Sequence, residues 1–226
     1  MFLCPNCQAE LIGRTERATC GYCGAVEQTE WECPAGHYTC EDCRCAEACE
    51  LVEKACIASK DTDPYELATR LMQHPAFTQA GPEHHLLVAP VVLACVRNSG
   101  YSSVTQDGVR EAVARMKDIP GGACAQRGDC GGAVGAGVAV SILTNARPLR
   151  SKQRSMVLRT TAKAGLALAD LGGIRCCKQA VFCGIQTAWI ELRSELLPLL
   201  PLLELPVCAL SGRQKDCKRE ACPYHG

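Results

Sequence analysis

The chain has 226 residues, with 24 basic and 24 acidic side chains and nineteen cysteines, long enough for one main domain with its own core and a small appendage. Its first fifty residues hold three basic against nine acidic side chains, which denies them the basic footprint of a nucleic-acid module. The opening MFLCPNCQAELIG has no secretory-signal pattern and prolines break the apolar run LLPLLPLLELPV, so the expectation is a cytoplasmic chain without a membrane span. Cysteines in such number inside a reducing compartment serve metals or catalysis rather than cross-links.

The first elements are short β-like pieces, RATC and AVEQTEWEC, set among turn-forming cysteine pairs. Cys4 and Cys7, then Cys20 and Cys23, form two C-x2-C knuckles twelve residues apart, a pattern that places four thiolates around zinc. Cys33, His37, Cys40 and Cys43 follow with ligand spacing, and Gly36 supplies a turn that can aim the imidazole. This second group resembles the middle of a RING-type finger, although the outer pairs do not keep that order. Spacing leaves open whether the two zinc sites are sequential or cross-braced, and Cys45, Cys49 and Cys56 are substitutes for any one ligand. Two metals would hold a piece too small to own a core, with docking of a partner as the further use.

Beyond about residue 58 the pattern turns helical. DTDPYELATRLMQHP is capped by Asp63, has Pro64 in its first turn and stops before Pro75. PEHHLLVAPVVLACVRNSG reads as one buried helix ending at Gly100 and bent at Pro90, with Cys95 as a small core residue. TQDGVREAVARMKDIP is capped by Thr105. A glycine-rich turn, PGGACAQRGDC, leads to GGAVGAGVAVSIL, an odd helix because each internal glycine costs about 1 kcal/mol relative to alanine. So permissive a segment implies close approach of another backbone or a ligand. Helical patterns around 152–171 and 176–197 complete a mainly α architecture: residues 1–58 as a zinc-ribbon or finger-like module and 59–226 as a helical bundle.

The chemistry of the helical part centres on cysteines. Amides of the turn after Cys130 would face whatever its sulfur holds, and a helix N-terminus favours anions such as an iron–sulfur cluster. Cys124, six residues earlier, could pair with Cys130 as a redox dithiol. On a helix Cys176 and Cys183 return to one face about 10 Å apart along the axis, whereas Cys177 points elsewhere, so the adjacent pair divides its work. Cys208, Cys217 and Cys222, with Pro223 and His225 after them, form a rival set for a closed cluster or a third zinc. Arg175 and Lys178 are candidates for binding a substrate carboxylate, Asp129 for capping or accepting a proton, and His84 and His85 for base or ligand. Each of these has a plain alternative as a solvated or core side chain.

Cys130 with its small-residue helix, followed after a long gap by Cys-x6-Cys at 176 and 183, resembles the cluster region of iron–sulfur L-serine dehydratases and L-cysteine desulfidases. It is also similar to redox proteins with a C-GCAxxG-C-C pattern. The likeness covers about residues 120–190 and implies a [4Fe-4S] cluster on Cys130, Cys176 and Cys183, with one iron open as Lewis acid. The whole chain, through PGGACAQRGDCGG, RCCK and ACPYHG, is similar to an uncharacterised cysteine-rich family of anaerobes. Three functions follow: a lyase or desulfidase acting on a small carboxylate, a redox or sulfur relay serving a partner enzyme, and a structural zinc adaptor.

Overall fold

The hairpin of β1 (Ile12–Thr19) and β2 (Val26–Glu32) is antiparallel, with Thr19 paired to Val26, Ile12 to Glu32, and a register irregularity between Gly13 and Glu16. Its faces are largely exposed, and an isolated two-stranded ribbon of this kind is marginal in water. In the computed structural model, which describes residues 2–4, 7–101 and 103–226, this hairpin leads into the short α1 (Glu41–Cys45) and then α2 (Ala48–Ala58). The rest is helical: α3 (Pro64–Gln73), a 3-10 turn at Pro82–Leu86, α4 (Val88–Asn98), α5 (Gln106–Met116), α6 (Ala123–Gln126), α7 (Gly131–Leu143), α8 (Ser151–Leu171) and α9 (Cys177–Glu195). The described residues contain no strand outside the N-terminal module, so the mainly α reading with a small finger-like appendage holds. No helix among them is long and apolar enough to cross a membrane.

Local signals set several boundaries. Asp63 has extended backbone, and its carboxylate accepts from the amides of Tyr65 (2.7 Å) and Glu66 (3.4 Å) at the start of α3. Thr105 does the same for Gly108 at the start of α5. Replacing Asp63 by alanine is expected to cost about 1 kcal/mol and by asparagine much less, since both asparagine and aspartate accept at an N-cap; urea unfolding of both variants checks this.

One expected helix is two elements. Pro90 lies in the first turn of α4, not at a bend, and the segment before it forms the 3-10 turn. Proline has no amide to donate to residue 86, so the ladder restarts there, and the first turn is where a missing donor is tolerated.

The glycine-rich segment, odd by propensity, is the helix at the centre of the bundle: α7 contacts α4, α5, α8, α9 and the 82–86 turn. Close packing explains its composition. A Cβ on Gly132 would stand 2.4 Å from the Ala180 carbonyl oxygen, and one on Gly184 of α9 2.3 Å from the Gly132 carbonyl oxygen. The two helices therefore meet backbone to backbone. Buried α4 lies against α7, and α2 packs on α3, α4 and α5, which joins the N-terminal module to the same apolar core.

Candidate metal centres

Two knuckles at the N-terminus share one hydrogen-bond scheme. Cys4 N–H donates to Ala9 O and Gln8 N–H to Cys4 O; Cys20 N–H donates to Ala25 O and Gly24 N–H to Cys20 O. The closing residue has positive φ in each, 61° at Gln8 and 73° at Gly24. This curl turns paired thiols to one side. Cys33 and Gly36 make a third tight turn that presents His37, and Cys40 caps α1, its sulfur accepting from Cys43 N–H at 3.4 Å.

All eight expected ligands fall into two quartets, and their grouping decides between the two arrangements that spacing left open. Cys4, Cys7, Cys33 and His37 converge, and Cys20, Cys23, Cys40 and Cys43 converge, the donor atoms of each quartet lying within 4.8 Å of one another. The sites are cross-braced. The reason is the hairpin: β1 spans about 25 Å at roughly 3.3 Å per residue and carries the second knuckle away from the first. β2 then returns Cys33 to Cys4 and Cys7.

Distances within the quartets suit a small tetrahedral ion. Cys7 and Cys33 sulfurs are 3.5 Å apart, Cys23 and Cys40 also 3.5 Å, and His37 Nδ1 lies 3.7 and 3.8 Å from Cys33 and Cys4. Thiolates 2.3 Å from one tetrahedral ion stand roughly 3.8 Å apart. In the second quartet burial raises Cys20, but the amides of Cys23, Cys40 and Tyr22 outweigh it and draw the thiol down to about 7. Its neighbour Cys40 is pushed up to about 11, mainly by burial. Four adjacent sulfurs cannot all carry charge without a cation among them. This quartet rests against α3, where Tyr22 packs edge-on to His74 at 5.2 Å. Cys45, Cys49 and Cys56 stand outside both quartets, exposed, half-buried and buried respectively.

In the helical part, cysteines sit at two helix starts that face each other. Cys130 is the N-cap of α7, Cys176 the N-cap of α9 and Cys177 its first residue. All three line one cavity, together with Cys124, His84, His85, Arg175 and a wall of Gly81, Gly121, Gly122 and Gly132. Gly131 is obligatory beside it, since a Cβ there would meet the His85 ring at 2.2 Å. Burial pushes the Cys130 thiol up, against the amides of Gly132 and Ala133, which lower it. Burial likewise raises Cys177, opposed by the Arg175 charge and the Gly81 amide.

His84 is the most constrained group here. It is 1% exposed, packed edge-on to Phe77, with Nδ1 3.3 Å from Gly81 O and 3.4 Å from Glu83 Oε1. Burial depresses its pKa to about 4, so the ring is neutral at physiological pH. With Nδ1–H donating to these oxygens, Nε2 carries the lone pair, and among the described residues it is buried with no partner. A carboxylate behind Nδ1 and a bare Nε2 in front is the arrangement of a metal-ligating or proton-accepting histidine. The Glu83 contribution was missed in the sequence, where only the adjacency Glu83–His84 hinted at it. His85 is oriented similarly, Nδ1 lying 3.2 Å from Ile119 O.

Other candidates lie elsewhere. Lys178 is buried, its ammonium 2.5 Å from Gln79 O, and faces a neighbouring cavity. Asp129 pairs with Arg127 (2.6 Å) and does not line the Cys130 cavity. Cys183, which the resemblance groups with Cys130 and Cys176, also does not line it; burial pushes this thiol up to about 11. Cys208, Cys217 and Cys222 surround the second cavity, which Cys176 also reaches.

What these features define is a helical protein with two Cys/His quartets at its N-terminus that could each hold a metal ion, and a thiol-lined cavity in its bundle. The chain belongs to a family of unknown function, DUF5714, which matches residues 52–225. The matched span starts inside α2, so it covers the thiol-lined cavity and leaves out the eight N-terminal ligands. No curated protein and no solved structure matches the chain.

Proposed function

We propose that zinc fills the two N-terminal quartets and that an iron–sulfur cluster occupies the Cys130 cavity, where it serves lyase- or desulfidase-type chemistry on a small carboxylate. The observation that carries this reading is the orphaned, buried Nε2 of His84, on a cavity that Cys124, Cys130, Cys176, Cys177 and His85 also line. Three thiolates per quartet with one nitrogen, or four thiolates, are the donor sets of structural zinc. In the helical part the fit is of another kind. Soft sulfur donors at two helix N-termini, with amides turned toward them and no carboxylate in the lining, suit an anionic cluster.

A cluster held by fewer thiolates than irons supplies a Lewis-acidic iron. The side chains around it do the rest. Cys130 and Cys177 would hold it, and the starts of α7 and α9 would stabilise its negative charge. Arg175, exposed at the mouth, is placed to take a substrate carboxylate by charge-assisted hydrogen bonds. His84, fixed as the Nδ1–H tautomer, accepts a proton at Nε2. A relay function has one observation in its favour: Cys176 borders both thiol-lined cavities, so two sulfur-rich sites adjoin.

Anaerobic purification with metal and sulfide analysis is the test. About two zinc ions per chain are expected, together with iron and acid-labile sulfide that fall in Cys130→Ala and in Cys177→Ala. A spectral change of the oxidised protein on adding serine or cysteine favours the lyase; reversible reduction without such a change favours the relay. Iron-free protein with full zinc would leave only the structural adaptor.

A further inference from the structure

The segment after α9, residues 196–226, has only two single-turn 3-10 pieces, at Ser211–Arg213 and Arg219–Ala221, yet it is firmly placed. Tyr224 packs on Phe182 with ring centres 5.4 Å apart, and its hydroxyl donates to Gln186 Oε1. Lys218 Nζ donates to the carbonyls of Leu171 and Gly172, 2.7 Å each, at the end of α8. Cys208 N–H donates to Tyr224 O and closes the loop. An irregular stretch of this length in an ordered fold is functional or held by something other than its own ladder.

We propose that Cys176, Cys208, Cys217 and Cys222 form a second, closed iron–sulfur site, in which every iron has a protein thiolate. The four cysteines line one cavity, bordered by Phe182, Leu210 and Tyr224. Each C-terminal sulfur has an N–H aimed at it: the Leu210 amide at Cys208, the Arg219 amide at Cys217 (3.4 Å) and the Gln179 side-chain amide at Cys222 (3.7 Å). Such donors stabilise thiolate charge and tune a bound cluster. Lys178, Lys218 and His225 line the same space.

Spacing favours a cluster over a single ion. Among the described residues, the groups whose donors close to within 4.8 Å are the two N-terminal quartets. The C-terminal set is wider, as it must be where each thiolate binds a different iron. The proposal also divides the adjacent pair. Cys176 has extended backbone (φ −129°, ψ 107°) whereas Cys177 begins the helix, so their side chains diverge. Cys176 belongs to the closed site and Cys177 to the Cys130 cavity.

The full chain, reconstituted anaerobically with ferrous iron and sulfide, is expected to hold about eight iron and eight sulfide, two four-iron clusters. Cys217→Ser/Cys222→Ser should halve both counts and leave the remaining iron sensitive to Cys130→Ala. If the reading of the Cys130 cavity fails instead, only about four irons bind; they vanish in Cys217→Ser/Cys222→Ser and survive Cys130→Ala, which supports the closed site. Undiminished iron in Cys217→Ser/Cys222→Ser overturns the proposal, as does a third zinc in place of iron. Alkylation of the unaltered protein, read by mass spectrometry, needs no variant to fold. Cys208, Cys217 and Cys222 should be protected when loaded and react after iron is chelated. Equal alkylation in both states overturns the closed site.

Discussion

The protein loaded with cadmium-113 is expected to give two NMR resonances from its N-terminal part, one from a four-sulfur site and one from a site of three sulfurs and a nitrogen, and Cys4→Ser should displace the second. The prediction separates two wirings of the same eight ligands. In the sequential arrangement Cys4 belongs to the four-sulfur set; in the cross-braced one it belongs with His37. Cys40→Ser provides the reciprocal arm and should displace the four-sulfur signal. Removing both ions has the larger consequence. Apparent binding energies of about 10–16 kcal/mol for structural zinc in small modules are folding energy, because the site does not exist in the unfolded chain. Here the hairpin is too exposed to stand alone. A strong chelator should therefore open residues 2–45 to protease while the far-ultraviolet helical signal, which comes from α2 to α9, changes little. Loss of the helical signal in parallel would show that the bundle depends on the metals as well. Cross-bracing sharpens the transition, since each ion ties together segments on either side of the other's ligands. Either ion lost loosens both sites.

How much of this was legible depended on how local each determinant is. The caps at Asp63 and Thr105 act over two or three residues, and both helices start where those residues place them. The eight N-terminal ligands were readable because C-x2-C turns are local too. Their pairing was not, since it is decided by where β2 returns relative to β1, a matter of strand register rather than spacing. The helical state of α7 was obscured for a similar reason. Four glycines argue against a helix in isolation, and what overrides them is contact with Ala180, Val88, His85 and Thr161, residues 24 to 48 positions away. His84 was a candidate only by type; its strength comes from burial and from the oxygens of Gly81 and Glu83. The convergence of Cys176 on Cys208, Cys217 and Cys222 lay furthest out of reach, because it requires the C-terminal segment to fold back over the start of α9.

Gly132→Ala and Gly184→Ala are each expected to destabilise the protein by about 1–3 kcal/mol or more, against a gain of about 0.5–1 kcal/mol for Gly165→Ala. All three glycines are helical, so propensity alone favours alanine at each. What differs is the space. A Cβ at Gly165 meets nothing within 4 Å, whereas at Gly132 and Gly184 it meets a carbonyl oxygen at 2.4 and 2.3 Å. These obstacles are backbone atoms, which cannot rotate away, so α7 and α9 must separate. For a chain of this size 1 kcal/mol corresponds to about 2–4 °C in Tm. The two packing variants should thus melt clearly below the parent, and Gly165→Ala at or above it. Combining Gly132→Ala with Gly184→Ala should cost less than the sum of the two, since one separation relieves both clashes. The crossing also sets the candidate site, because Cys130 starts α7 two residues before Gly132 and Cys177 starts α9 three before Ala180. Spreading the helices moves those thiols apart, so iron held at the proposed Cys130 site should fall in Gly132→Ala even at temperatures where the fold survives. Equal melting of Gly132→Ala and Gly165→Ala would mean the two backbones do not touch, and the glycines of α7 would then need another cause.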